Sequence, residues 1–313
     1  MLRKTQRFIP ISLPFNPLSW YRSQNFTDGL NGRFHAMHTI TRRNFIRTTG
    51  ASVVAGGILA MDDKQTHARK KPYGNLRMGI QSYSVRAFKF PEAMKIISDF
   101  DLKHMELFPG HLSHKSASAE AVKDAKSILK DLGLSCDAYG VTGFTSDEAE
   151  ARAVFEFGRE MGLISISADP TPDAFDVLDK LVEEYKIPIA IHNHGPKHRW
   201  GDPNVILDAI KDHHPLIGVC ADTGHFMRSD VDPVEAIKIL KGRVYGIHVK
   251  DFINESKEAI AGDGKLDLKA LFAECIAQDF QGACSIEYEL TPQKPMLGIQ
   301  KGLHNIRYAL ANL

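Results

Sequence analysis

Four ionisable residues stand in short apolar runs in the second half of the chain: His192 in I-A-I-H-N-H, Asp222 in V-C-A-D-T-G-H, His248 in Y-G-I-H-V-K-D and Glu287 in C-S-I-E-Y-E. An ionisable group in a strand covered on both faces is expensive unless it has a partner or a task. Imidazole and carboxylate together suit a divalent first-row ion. Residues two apart share a face of a strand. Two positions before each candidate stand Ala190, Cys220, Gly246 and Ser285, all small. Small side chains beneath a ring of inward-facing ligands are what a crowded axis requires. The neighbours Ile191, Ala221, Ile247 and Ile286 are apolar and would face outward. A lone His or Asp reads more simply as a hydrogen-bonded group at a loop mouth. Four in register on consecutive strands read as a metal centre.

The elements that must position them are parallel strands joined by crossover helices. From Leu76 onward, short apolar runs alternate with amphipathic stretches, and strands are expected at 76–83, 104–108, 135–141, 164–169, 188–194, 217–222, 244–251 and 284–290. The stretch 119–132 carries Ala121, Val122, Ala125, Ile128, Leu129 and Leu132 on one stripe, with Lys123, Asp124, Lys126 and Lys130 elsewhere. Asp202-Pro203 and Asp232-Pro233 read as helix starts, and Gly133, Gly162, Gly242 and Gly282 as helix ends. Eight such alternations form an α/β fold, the (β/α)8 TIM barrel, as a single domain over 72–313. Active sites of that fold lie at the C-terminal ends of the strands, where the four candidates fall.

Composition excludes several classes. The 313 residues are 43% hydrophobic and 25% charged, the makeup of an ordinary globular protein. Lys plus Arg number 39 against 38 for Asp plus Glu, so no overall field favours a polyanion and nucleic acid is not expected as a partner. Cys136, Cys220, Cys275 and Cys284 lack CxxC spacing and read as buried apolar residues.

The N-terminal part differs. T-R-R-N-F-I-R at 41–47 precedes an apolar, small-residue run at 51–61, the order of a secretion signal. That run is well short of the ~20 residues that span a bilayer, so stable membrane insertion is not expected. The paired arginines, the Phe and the following basic residue resemble the twin-arginine signal, which implies the twin-arginine export machinery as a partner and a periplasmic location. On this reading Met37 starts the protein, 1–36 is a non-native or disordered extension, and 37–70 is signal and linker, with cleavage near Ala60 or Ala68.

Five motifs carry a wider likeness: G-I-Q-S-Y-S-V-R at 79–86, E-L-F-P-G at 106–110, A-D-T-G-H at 221–225, H-V-K-D at 248–251 and I-E-Y at 286–288. In this order the chain resembles the xylose isomerase-like sugar isomerase/epimerase superfamily, which also contains inosose and dehydroshikimate dehydratases and the endonuclease IV branch. The resemblance implies Asp222, His248 and Glu287 as ligands on strands six, seven and eight. It implies glutamate on strand five, where this chain has His192, so the pair of glutamates that exchange a proton across an epimerase substrate is broken. Two carboxylates in place of three leave the ion a stronger Lewis acid.

The implied reaction removes a proton next to a carbonyl, with one divalent ion (Mn, Zn, Co or Mg) holding adjacent oxygens of a small carbohydrate. Glu287 is the first candidate base. Glu106 and Lys250 are candidates for the partner acid or base, although Lys250 also reads as an ion pair with Asp251 or a neighbouring strand. His225 suits orienting a ligand. Gln81, His194 and Trp200 would line a sugar pocket, with His194 a candidate fifth ligand. Lys197, His198 and Arg199 read as a solvated loop.

Return of the proton gives isomerisation or epimerisation; loss of a β-substituent gives elimination, a lyase or dehydratase. Export points to an unphosphorylated keto-sugar or keto-glycoside. An endonuclease IV-like phosphodiesterase would need several more ligands, for which His104, Glu106, His111, Asp137 and Asp169 are the candidates. A non-catalytic sugar-binding barrel is the remaining class, and a homo-oligomer is compatible with each.

Overall fold

A strand buried on both faces needs a hydrogen-bonding neighbour on each side, and eight of them meet that need by closing into a ring. The computed structural model describes residues 71–313; the extension and twin-arginine signal assigned to 1–70 lie outside the described residues. The barrel strands are β1 (Arg77–Gln81), β2 (His104–Leu107), β3 (Ser135–Phe144), β4 (Ser165–Pro170), β5 (Ile189–His192), β6 (Ile217–Asp222) and β7 (Val244–Val249). An antiparallel hairpin of β8 (Asp251–Asn254) and β9 (Lys257–Ala259) follows, and then β10 (Ala283–Ile286), which pairs with both β7 and β1 and closes the barrel. This is the expected (β/α)8 barrel.

The helices are α1 (Phe90–Ser98), α2 (Ala119–Asp131), α3 (Glu148–Met161), α4 (Phe175–Tyr185), α5 (Pro203–Ile210), α6 (Thr223–Arg228), α7 (Pro233–Ile239), α8 (Leu268–Ala277) and α9 (Met296–Ala311). Their starts follow local chemistry. Ser118 caps α2 by accepting from Ala121 N–H, and Asp202 and Asp232 cap α5 and α7 with proline in the first turn. Helix α2 buries Val122, Ala125 and Leu129 of its expected stripe. Burying such side chains contributes roughly 1.5–3 kcal/mol each for the larger ones, before the entropy of ordering them is subtracted.

Glycine serves two different ends here. Gly133, Gly162 and Gly242 take the left-handed conformation after their helices, but Gly282 does not; Asp279 takes it there, at φ 51°. A Cβ on Gly282 would lie 2.2 Å from the Tyr245 carbonyl oxygen, so its requirement is close approach of two chain segments. Gly246 is similar: its Cβ would lie 3.0 Å from Cys220 Sγ, directly beneath the candidate ligands. The small residues two positions below those ligands do pack a crowded axis, with Ala190, Cys220 and Ser285 all buried. All four cysteines are free and buried.

Several strand ends differ from the sequence expectation, and two of the differences shape the rim. The last strand, expected to reach 290, leaves the ladder at Ile286 because its neighbours end at Gln81 and Val249. The seventh, expected to reach 251, stops at Val249, and Asp251 opens the hairpin. The buried Asp251 carboxylate accepts four backbone N–H bonds: Phe252 (2.7 Å) and Leu266 (2.9 Å) on Oδ1, Gly262 (2.9 Å) and Gly264 (2.8 Å) on Oδ2. One side chain thus gathers the loop from 252 to 266 over the barrel rim.

Asp251→Ala strips an acceptor from four donors at once, and hydrogen bonds to a charged group are worth about 1.5–3 kcal/mol each. Urea unfolding of the chelated protein should show a loss of at least about 3 kcal/mol, whereas Glu255→Ala on the exposed hairpin should stay within about 0.5 kcal/mol. A loss below about 1 kcal/mol for Asp251→Ala would show that other contacts hold the loop.

Candidate metal centre and active site

The closed ring delivers four donors to one point at the C-terminal end of the barrel. His192 ends β5, Asp222 ends β6, His248 lies one residue before the end of β7, and Glu287 follows β10. One donor atom from each lies within 4.8 Å of the others. His192 Nε2 is 3.0 Å from His248 Nδ1 and 3.5 Å from Asp222 Oδ2; His248 Nδ1 is 3.5 Å from Glu287 Oε2 and 3.9 Å from Asp222 Oδ2. Donors sharing one ion at about 2.0–2.2 Å are no more than about 4.4 Å apart, and these four separations satisfy that bound.

Asp222 shows most directly that the residues fit an ion. Its backbone is clamped by Asn193, which accepts from Asp222 N–H (2.7 Å) and donates to the Asp222 carbonyl (2.9 Å). Its Oδ1 accepts from His225 N–H (2.7 Å) and so caps α6. Its Oδ2 is buried, points to the other three donors and has no hydrogen-bond partner. A carboxylate oxygen left so is costly without a cation.

His248 is oriented from below. Its Nε2 lies 2.8 Å from Glu106 Oε2, which leaves Nδ1 for the other donors. Glu106 is 1% exposed beneath the ring, and the contact the structure gives it is the hydrogen bond that orients His248. Burial alone would lower the His248 pKa, but Cys220, Glu106 and Glu287 around it raise it well above the ordinary imidazole value. Burial pushes Asp222 up, yet His225, Lys250 and His192 hold it well below the usual carboxylate range. Glu287 is likewise raised by burial and then drawn down to about 2 by Lys250 and His248.

Lys250 is 3% exposed, with Nζ 3.4 Å from Glu287 Oε2 and paired with Glu289. Its partners are these residues of the neighbouring strand's extension, not Asp251. Burial would lower its pKa, but Glu287, Asp222 and Glu289 raise it above the ordinary lysine value, so it is a fixed cation. Thr223 holds the turn beneath it, accepting from Lys250 N–H at 2.9 Å and donating to the Lys250 carbonyl at 2.6 Å. Glu258 on β9 accepts from Glu289 N–H and is raised to about 7, chiefly by burial.

His225 and His194 stand beside the centre, with ring centroids 5.7 Å and 4.7 Å from that of His192. Arg228 Nη1 is 3.1 Å from His225 Nδ1; a guanidinium only donates, so the proton of the neutral ring is on Nε2. Burial, then the Asp222 and Lys250 charges in opposite senses, leaves the His225 pKa lowered. His194 is lowered to about 3 by burial together with His192, His225 and His198, so it is a neutral ring.

Two expected pocket residues have other duties. Gln81 accepts from Tyr83 N–H and donates to the Gly140 carbonyl, tying β1 to β3. Trp200 is 3% exposed, packs edge-on against Phe175 and donates from Nε1 to the Pro170 carbonyl, so it anchors its loop. The residues a nuclease would need are scattered as well. His104 and Arg77 pair with Asp137 towards the strand starts, at 2.8 and 3.3 Å, and His111 bonds Ser82 Oγ and the Phe88 carbonyl. A cavity of about 780 Å³ at that opposite end, lined by Tyr73, Leu76, Phe280 and Arg307, holds no comparable group of donors among the described residues.

Sequence reasoning did not single out Asn193, Thr223, Arg228, Glu258 or Glu289. Glu289 had a signal, since it is two residues from Glu287 on an extended segment; the others act through backbone or loop contacts that no spacing reveals.

A model of the xylose isomerase-like TIM barrel matches residues 172–309, a span that holds all four donors. Inosose dehydratase of Salmonella agona is 24% identical over 160 residues, 45% of this chain and 53% of that protein, so the match spans about half the length of this relative. Among solved structures, an uncharacterised protein of Parabacteroides distasonis is 26% identical over 75% of this chain and 99% of its own, with TM-score 0.61. The 3-keto-D-glucoside 4-epimerase of E. coli has the same fold at 17% identity, over 74% of this chain and 99% of its own, with TM-score 0.61. The solved structures under 25% identity show the barrel fold, and the family match spans less than half of the chain.

Ligation through Nδ1 displaces a proton from His248 wherever that ring is charged. Affinity for zinc or manganese, measured by titration calorimetry, should therefore fall about tenfold per pH unit below the raised His248 pKa. Glu106→Gln should cost about 10–100-fold in affinity and, by removing one cause of the raised pKa, move the fall to lower pH. An unchanged affinity and pH profile would show that Glu106 does not orient a ligand.

Proposed function

We propose that the chain is a divalent-metal-dependent isomerase or epimerase acting next to the carbonyl of an unphosphorylated keto-sugar or related carbohydrate. The observation that carries the reading is Glu287, whose Oε2 lies 3.5 Å from His248 Nδ1 and 3.4 Å from Lys250 Nζ, so one ionised carboxylate sits at the edge of the ligand cluster. When bound by His192, Asp222, His248 and Glu287, the ion supplies Lewis acidity toward adjacent substrate oxygens. Glu287 takes the proton from the neighbouring carbon and returns it to the adjacent position. Lys250, a fixed cation, offsets the negative charge that gathers on the oxygens. His225, with its ring proton on Nε2, offers a donor on the α6 side.

His192 separates this site from a two-glutamate epimerase, because no carboxylate stands at the strand-five position. One base on one face suits proton return between neighbouring atoms. The same arrangement favours a second reading, elimination of a β-substituent, and the similarity to inosose dehydratases supports it. Both readings start with the same proton transfer and part afterwards.

The reading takes the protein as exported to the periplasm through the twin-arginine machinery, on the strength of Arg42, Arg43, Phe45 and the apolar run at 51–61. A periplasmic enzyme meets free sugars and glycosides, which is the reason for an unphosphorylated substrate.

The metal-loaded protein in heavy water should incorporate deuterium into at least one member of a panel of ketoses and keto-glycosides. Product mass distinguishes isomerisation, which conserves the atoms of the substrate apart from the exchanged hydrogen, from elimination, which loses water or the aglycone. Glu287→Gln should slow exchange by about 10²–10⁴-fold, with metal content measured alongside. No exchange in any panel member, or faster turnover of a sugar phosphate than of its free sugar, would overturn the corresponding part of the reading.

A further inference from the structure

We propose that Asp169, His194 and His198 hold a second divalent cation of the zinc or cobalt type, beside the first centre. Asp169 is the penultimate residue of β4, His194 lies two residues beyond the end of β5, and His198 is in the loop that follows. One donor atom from each lies within 4.8 Å of the others. Asp169 Oδ2 is 3.4 Å from His198 Nε2, and the His194 and His198 ring centroids are 4.6 Å apart.

Two donor atoms of this group are buried and unsatisfied: Asp169 Oδ1 and His194 Nδ1 have no hydrogen-bond partner. The other group that shares no residue with the first centre, Asp176, Asp179 and His213, is explained without an ion, since His213 Nδ1 bonds Asp179 Oδ2 at 2.8 Å and its ring stacks on Phe175. The side chains of Asp169 and His198 are 33% and 27% exposed, so an ion can enter. Ligation through His198 Nε2 places the ring proton on Nδ1 and gives up only the 3.3 Å contact from Trp200 N–H.

Two imidazoles and one carboxylate select zinc, cobalt or nickel over magnesium and calcium, which require mostly oxygen donors. Three protein ligands leave positions open for an exogenous oxygen. His194 stands 4.7 Å from His192, centroid to centroid, so the two sites share one side of the rim. An ion here would hold a second oxygen of a polyhydroxylated ligand. The site does not depend on which reaction the first centre performs.

The test is cobalt stoichiometry on the full chain after removal of metal by chelation, followed by titration calorimetry and elemental analysis. Wild-type protein should bind one equivalent more than Asp169→Asn and one more than His198→Ala, and millimolar magnesium should not compete for that equivalent. Asp222→Ala should lose a different equivalent and keep this one. Circular dichroism checks that each variant is folded, and the part-exposed positions of Asp169 and His198 make both variants mild. Equal stoichiometry in wild type and in the Asp169→Asn/His198→Ala double variant would overturn the second site. If Asp222→Ala alone then loses metal, the first centre stands without it.

Discussion

Everything at the barrel mouth depends on concentrating charge where water is scarce. Asp222 and His248 are 0% exposed, Glu106 is 1% exposed, and Lys250 is 3% exposed. None would be stable there alone. The cluster persists because each member's unfavourable burial is offset by a neighbour: Glu106 and Glu287 for His248, Lys250 and the imidazoles for Asp222, Glu287 and Glu289 for Lys250. Asp222 Oδ2, like Glu106 Oε1 and His192 Nδ1, is buried with no hydrogen bond, and it is the carboxylate oxygen that lies among the other donors. A cation at that atom would complete the arrangement, and the neighbouring secondary structure leaves the atom free. Asn193 fixes the Asp222 backbone, while α6 takes the other carboxylate oxygen as its cap.

The sequence made the ring of strands and the four donors legible for one reason: both follow short-range rules. A strand covered on two faces reads as an apolar run, and a ligand on it reads as an ionisable interruption with a small residue two positions earlier. Contacts across the fold do not read that way. Gln81 and Trp200 looked free because the carbonyls that receive their hydrogen bonds, at Gly140 and Pro170, lie 59 and 30 residues away. Nothing in E-L-F-P-G tells that His248, 142 residues on, will stand over Glu106. The hairpin after β7 was hidden for the same reason, since its cause is one carboxylate gathering N–H groups as far away as Leu266.

The loop after β5 illustrates the limit most clearly. Lys197, His198 and Arg199 are polar, sequential and near glycine, the composition of a solvated turn. Only the barrel places Asp169 of the neighbouring strand against His198, and only burial leaves Asp169 Oδ1 and His194 Nδ1 without partners.

The histidine on β5 ties these features together. With an imidazole at His192, which brings no negative charge, Asp222 and Glu287 carry the negative charge of the donor set, and a dication there would be balanced without excess. A glutamate in its place would add a third negative charge close to Glu287, raise the cost of keeping Glu287 ionised and weaken the pull of the ion on a carbonyl. It would also place a second base across the substrate. Under the proposed function, histidine does the reverse: it would leave one carboxylate base, braced by one lysine, against a more electrophilic centre. In the proposed reaction a site so built is asymmetric, with the proton leaving toward β10. What happens on the β5 side is then set by the imidazoles of His192, His194 and His225, rather than by a second carboxylate.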